Sequence, residues 1–320
     1  MGISLLLLTM AFSVTQGAAK IPISTVWDTL FHFDPSNTHH LIIVDLRLPR
    51  VLTSGLVGMA FATSGAIMQS MTRNPMADSG LLGLNAGAGF ALSICFAFFP
   101  GTGRTSLVLF SLLGAAFGAL LVNAVAALRR GGATPMRLVL AGAAVSALLA
   151  ALSQGIALYF DVAQDIMFWI TGGVAGSDWE QLHIITPWII GALAGALILS
   201  RAISILSLGE EVATGLGLNT GLINILCAVI VLILAGTSVA VVGAVSFVGL
   251  IIPHVTRFLV GVDYRWIIPC SAVLGALLVV LADLCARMIN PPFETPIGAL
   301  IALIGIPFFL YLARKQRRAQ

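Results

Sequence analysis

Two adjacent carboxylates, Glu210 and Glu211, sit in the stretch LSLGEEVATGLGL, Leu206 to Leu218, between long apolar runs. The chain has only 13 acidic residues in 320, so a pair placed side by side asks what chemistry it serves. Ser207 and Glu210 have the spacing of a capping box, in which the hydroxyl takes the Glu210 amide and the carboxylate reaches back to the Ser207 amide. The spacing predicts a helix of about nine residues starting at Leu208, roughly 14 Å long. Glu210 and Glu211 would lie in its first turn, where the helix dipole favours anions, with Gly209 before them and Gly217 closing the helix in the left-handed conformation. Val212 and Leu216 would form its apolar stripe, with Ala213 and Gly217 allowing close approach. So short a helix needs a surface to pack on. Two surfaces are open to it: its own bundle, or a cytoplasmic partner.

The other reactive side chains form no enzymatic constellation. A Walker A loop needs a lysine directly after glycine, and the two lysines, Lys20 and Lys315, follow alanine and arginine. An HExxH zinc helix and a GxSxG nucleophile elbow are absent from the sequence. His32, His39, His40, His183 and His254 lack metal-ligand spacing, so no metal centre is expected. The His39 and His40 pair is expected to be solvated, and His254 to be buried in helix packing. Cys95, Cys227, Cys270 and Cys285 stand singly in separate apolar segments and are expected as core filler. No cofactor is expected on this chain.

Such residues must be carried by membrane helices. The sequence is 59% hydrophobic and 9% charged, far below the roughly one quarter charged that soluble domains carry. Its apolar blocks approach or exceed the ~20 residues needed to cross the hydrocarbon layer. An all-α integral membrane protein follows, a single domain over 1–320 with ten spans: 2–18, 51–69, 81–99, 105–127, 138–158, 183–200, 221–240, 243–261, 266–286 and 296–313. The uncharged run from Leu222 to Val255 is too long for one helix and should break at Gly236, Thr237, Ser238 or Gly243. The first span lacks a basic leader region and is expected to be retained. An even number of spans puts both termini on the side that holds 201–220. That side has eleven of the 16 basic residues, against Lys20, Arg47, Arg50, Arg104 and Arg287 opposite, which makes it cytoplasmic.

The spans show no charge or helix break at their centres, so an uncoupled channel or an ion-coupled secondary transporter ranks below a pore driven from outside the chain. Gly114 with Gly118, and Gly191 with Gly195, have the spacing that lets helices approach closely. The RNPMADSGLLG turn, Arg73 to Gly83, is expected as a rigid inner loop in which Asp78 or Ser79 caps the next helix.

Four stretches together resemble the FecCD type of permease, the membrane component of binding-protein-dependent ABC importers for iron-siderophore, haem and cobalamin. They are Arg47 to Gly89, the island LGEEVATGLGL, Val241 to Arg265, and Ala282 to Leu312, which match in order over nearly the whole chain. The resemblance implies ten transmembrane helices in the cobalamin/siderophore-importer permease fold, and a path at the interface with a second permease subunit, identical or paralogous. It also implies two ATP-binding subunits inside, which hold the ATP and Mg, and a substrate-binding protein outside. It makes the 207–218 segment a coupling helix seated in the ATPase, with Ser207, Gly209, Glu210, Glu211, Ala213, Leu216 and Gly217 as its residues.

Arg47, Arg50 and Arg287 match positions that pair with acidic groups of the binding protein, a suitable task for guanidinium forks. Asp283 can orient Arg287 as an i,i+4 pair. A short outer re-entrant segment is implied at about 161–180, with Trp169 and Gly172 lining the path. Thr134 and Met136 stand where the family has an inner constriction, although this chain reads GGATPMRL in place of the usual small hydroxyl residues. The expected function is uptake of an iron complex, a ferric siderophore before haem or cobalamin, through a weakly selective path in the cell membrane. The chain itself is expected to be no enzyme, and nucleic acid is not an expected partner.

Overall fold

The computed structural model describes residues 1–17, 21–78, 80, 83–127, 135–290, 293 and 295–317. Every element among them is helical. Ten helices occupy the ten predicted spans: α1 (Gly2–Thr15), α4 (Leu48–Met71), α5 (Leu84–Phe98), α6 (Arg104–Ala127), α7 (Pro135–Tyr159), α9 (Trp179–Ser207), α11 (Thr220–Val242), α12 (Val248–Val260), α13 (Tyr264–Ile289) and α14 (Ile297–Arg317). The short helices α2 (Ile23–Phe31), α3 (Thr38–Leu41), α8 (Ala163–Gly172) and α10 (Glu210–Gly215) lie between them. A π-helical segment, Ile42–Arg47, joins α3 to α4, so the second span is part of a continuous 34-residue helix from Thr38 to Met71. Alternate helices run in opposite directions, which puts α10 on one face of the bundle and Arg47 on the other.

The core is built by backbone contact at glycines. A Cβ on Gly58 would lie 2.3 Å from the Gly275 carbonyl oxygen, and one on Gly65 would lie 2.1 Å from that of Gly249. Central α4 can therefore touch α13 and α12 only without side chains at those crossings. Gly114 and Gly118 close on Gly87 of α5 and on Gly83 at its N-terminus in the same way, as their spacing predicts. Gly191 and Gly195 do not: nothing approaches the first within 4 Å, and the second faces only the Ile230 side chain. Their spacing is that of any one-turn pair on a helix, and α9 turns this one away from a backbone neighbour.

The long apolar run breaks at Gly243. Thr237 and Ser238 stay inside α11 because their hydroxyls donate back to the carbonyls of Ile233 at 2.5 Å and Leu234 at 2.7 Å. Gly243 then turns at φ +72, and residues 243–247 are unwound before α12 starts from Phe247, itself left-handed at φ 71. This helix has only 13 residues, about 20 Å, too short for the ~30 Å hydrocarbon layer. It starts within the bundle: Phe247 packs on Gly305, eight residues into α14, while Ala244 lies beside Gly298 at the start of that helix. The spans therefore do contain a helix break at depth, which corrects the expectation from the sequence.

The turn after α4 sends Asp78 inward, where its carboxylate accepts the Phe247 amide at 3.4 Å and lies against Gly249. The helix after that turn starts from left-handed Gly83 without a side-chain cap from that residue. Ser79 lies outside the described residues.

Smaller expectations also change. His39 is exposed, but His40 is buried and accepts the Asp34 amide at 3.1 Å, because α2 and α3 fold over the outer end of α1. His254 is half-buried, edge-on to Phe308. Cys95 and Cys227 are core residues, whereas Cys285 is exposed on α13.

Candidate functional site

On one face of the bundle α9 runs seven residues past its predicted end, to Ser207. Extending it uses up the capping serine: the Ser207 hydroxyl donates to the Ser204 carbonyl at 2.7 Å, so the capping box does not form. The chain reverses at Gly209, whose φ of +119 is open to glycine alone, and α10 begins at Glu210 with six residues instead of nine. Both glutamates do lie in its first turn, and both are exposed. Gly217 ends the segment at φ +80, with the Leu218 amide donating to the Ala213 carbonyl at 3.0 Å.

The two sides of α10 face different surroundings. Ala213 is fully buried against its own bundle, while Val212 and Leu216 are 48% and 64% exposed. The helix is anchored by its small residue and presents its large apolar ones outward, beside Glu210 and Glu211.

The loop after α4 supports this corner. Arg73, left-handed at φ 49, brings its guanidinium to within 3.7 Å of where a Gly209 side chain would start. A cavity of about 280 Å³ opens there, lined by Arg73, Asn74, Asn123, Glu210 and Asn224 among others. Beside it, Ser204 donates to Asp263 at 3.0 Å and takes the Tyr264 amide at 2.9 Å, which ties α9 to α13. The Arg265 guanidinium hydrogen-bonded to Asp263, aided by the Arg265 amide, holds that carboxyl down at about 2. Arg257 hydrogen-bonds Gln69, and Gln69 donates to the Gly249 carbonyl at 3.1 Å, which ties α12 to α4. Sequence patterns did not reveal Gln69, Ser204 or Asp263, because their partners are 59 to 188 positions away.

At the opposite face the three predicted arginines come together, but they are buried and engaged within the chain. Arg50 pairs with Asp283 at 2.8 Å, and Arg287 reaches the same carboxylate at 3.1 Å, the predicted i,i+4 pair. Arg287 also donates to the Gln16 carbonyl at 3.0 Å and the Ser13 hydroxyl at 2.5 Å, and Arg47 to the Val14 carbonyl at 2.6 Å. These groups close the C-terminus of α1, where orphan carbonyls favour cations. Asp283 is 0% exposed and is shared by the guanidinia of Arg50 and Arg287.

Near this cluster α8, ten residues and about 15 Å long, is too short to cross. Its Trp169 donates to the Ala240 carbonyl at 3.1 Å and lines a cavity of about 450 Å³, with Arg50, Arg104, Asp165 and Val241 also on its wall. Gly173 lines this cavity, directly after Gly172, the last residue of α8. Arg104 pairs with Asp178 across the rim. Thr134 lies outside the described residues, and Met136 is the second residue of α7.

Residues 5–315 match the FecCD transport family. The chain is 53% identical over 319 residues to the iron(3+)-hydroxamate import system permease protein FhuB of Bacillus subtilis, covering 99% of this chain and 83% of that one. It is 36% identical to the ferric enterobactin transport system permease protein FepD of Escherichia coli, over 98% and 94% of the two chains. A metal-chelate type ABC transporter, solved in an inward-facing conformation, superposes with a TM-score of 0.84 at 30% identity, over 98% of this chain and 97% of its own.

Proposed function

This chain belongs to the FecCD transport family, and from that premise we propose that it is the permease subunit of an ABC importer that brings a ferric siderophore of the hydroxamate class into the cytoplasm. The observation that carries the cargo is the 53% identity, over nearly the whole chain, to an iron(3+)-hydroxamate permease, against 36% to an enterobactin permease. The family also decides against a self-energised transporter, although a helix break at depth is present.

The α10 face is cytoplasmic, with both termini on it; the eleven-to-five division of basic residues supports this. Two ATP-binding subunits, which hold ATP and Mg²⁺, receive α10 from this chain and from a second permease. The outward Val212 and Leu216 supply the contact area, and Glu210 and Glu211 meet basic or amide groups. The substrate-binding protein docks at the other face, where carboxylates on its lobes meet the Arg47, Arg50 and Arg287 cluster. Closure of the ATPases pushes α10, which moves α9 and α11 on either side of it. The cargo then enters by alternating access through the cavity beside Trp169.

Reconstitution with the cognate ATPase and binding protein tests the reading. ATP-dependent uptake of ferric desferrioxamine B, a trihydroxamate, is expected, with little uptake of haem, cobalamin or ferric enterobactin. Equal uptake of haem or cobalamin, or uptake without ATP, would overturn it.

A further inference from the structure

We propose that the unwound segment 243–247 lines the water-filled path through the permease, and that Ala244 and Ser246 face the passing cargo. The inference rests on the importer reading for what passes, but not for where water reaches.

The depth of the segment is fixed by its neighbours. Ala244 lies beside Gly298 in the first turn of α14, and Phe247 beside Gly305 two turns further in. Seven residues of helix rise about 10 Å, the distance that three residues of extended chain also span. The segment thus runs beside α14 as an extended strand within the thickness of the bundle. Its lower end is fixed by the Asp78 carboxylate on the Phe247 amide, and its upper end adjoins the 450 Å³ cavity through Val241.

An extended strand satisfies none of its own backbone groups. Among the described residues the amides of Ala244, Val245 and Ser246 have no hydrogen-bond partner. Val245 turns its side chain into the core, while Ala244 and Ser246, on the alternate side of the strand, are exposed. Irregular backbone is not tolerated against lipid, where each unpaired group lacks both water and a protein partner. It is tolerated where it borders water, and the small side chains on the exposed side keep the amides accessible. Those amides and the Ser246 hydroxyl are hydrogen-bond donors suited to the oxygen-rich surface of a hydroxamate chelate.

The test is thiol accessibility in the complete importer in proteoliposomes. The exposed or half-buried native thiols are first removed by Cys285→Ser and Cys270→Ser, and that background sets the baseline. Ser246→Cys and Ala244→Cys are each treated with a charged, membrane-impermeant thiosulfonate and compared with Ile198→Cys, a 79% exposed position on the apolar surface of α9. We expect one or both path cysteines to react at least about tenfold faster than the α9 control, because only a wetted thiol ionises. Ferric desferrioxamine B trapped in the complex should slow that reaction.

If both path variants assemble and react no faster than Ile198→Cys, the inference is overturned. If hydroxamate uptake persists in that case, the importer reading stands without it. Fast labelling with no hydroxamate uptake by the native chain gives the converse, a water-lined segment and a failed cargo assignment.

Discussion

Replacing Val212 and Leu216 of α10 by serine isolates the apolar part of the coupling contact. Burying a whole valine or leucine side chain yields about 1.5–3 kcal/mol. Leu216 is still 64% exposed in this chain and Val212 48%, so a docking ATPase can gain about that share from each. The estimate is about 1–2 kcal/mol for Leu216 and about 1 kcal/mol for Val212. Together they amount to about 2–3 kcal/mol, or about 30- to 150-fold in affinity. Because neither side chain is in the core, the permease should keep its melting temperature, as surface substitutions generally do. The assay is the ATPase-subunit concentration that half-saturates binding-protein-stimulated hydrolysis, measured with the permease in lipid nanodiscs. A shift of less than about threefold, with both variants assembled, would refute the reasoning that these residues form the contact. The charged half separates by salt: Glu210→Lys with Glu211→Lys should weaken the same complex at low ionic strength and much less at high, because both carboxylates are exposed.

Three further outcomes are expected. Gly58→Ala should cost roughly 1–3 kcal/mol or prevent folding, because its Cβ meets backbone that cannot yield, whereas Gly191→Ala should be neutral; thermal melts in detergent compare them. Asp283→Ala should cost about 3–5 kcal/mol, since it strands Arg50 and Arg287 without their shared counter-ion, and a melt or expression yield no lower than native would contradict this. Asp263 has a depressed folded-state pKa of about 2, so its contribution is present above the ordinary carboxylate range near 4 and is lost as pH falls towards 2. The melting difference between native and Asp263→Asn should therefore be flat at neutral pH and shrink only in acid; growth of that difference with rising pH above neutrality would be the wrong sign.

The spans and the short helix at Glu210 were legible in the sequence because both depend on local pattern: runs of apolar residues, and carboxylates beside glycines. Long-range geometry was not. A capping box at Ser207 is favourable locally, yet α9 overran it, since an extra turn brings Ser204 to Asp263 and Tyr264. Ala213 and Val212 are similar by composition, and only the docking of α10 on its bundle tells which is inward. Gly114 and Gly118 have partners because α5 carries Gly83 and Gly87 at the same spacing; Gly191 and Gly195 face no such pair. Asp78 sits in a polar turn by sequence, and nothing local reveals that the turn folds back to meet a helix start 169 positions later.

The backbone contacts of Gly58 with Gly275 and of Gly65 with Gly249 also pin α4 to α13 and α12 at two points about 10 Å apart along its axis. With no side chains to slide over at either crossing, the three helices form one stiff unit. Its Leu48 end bears Arg50, and its Met71 end leads directly to Arg73, beside the start of α10. A push at either rim is therefore carried to the other by a single rigid body, with no relay of side-chain rearrangements through the packed core.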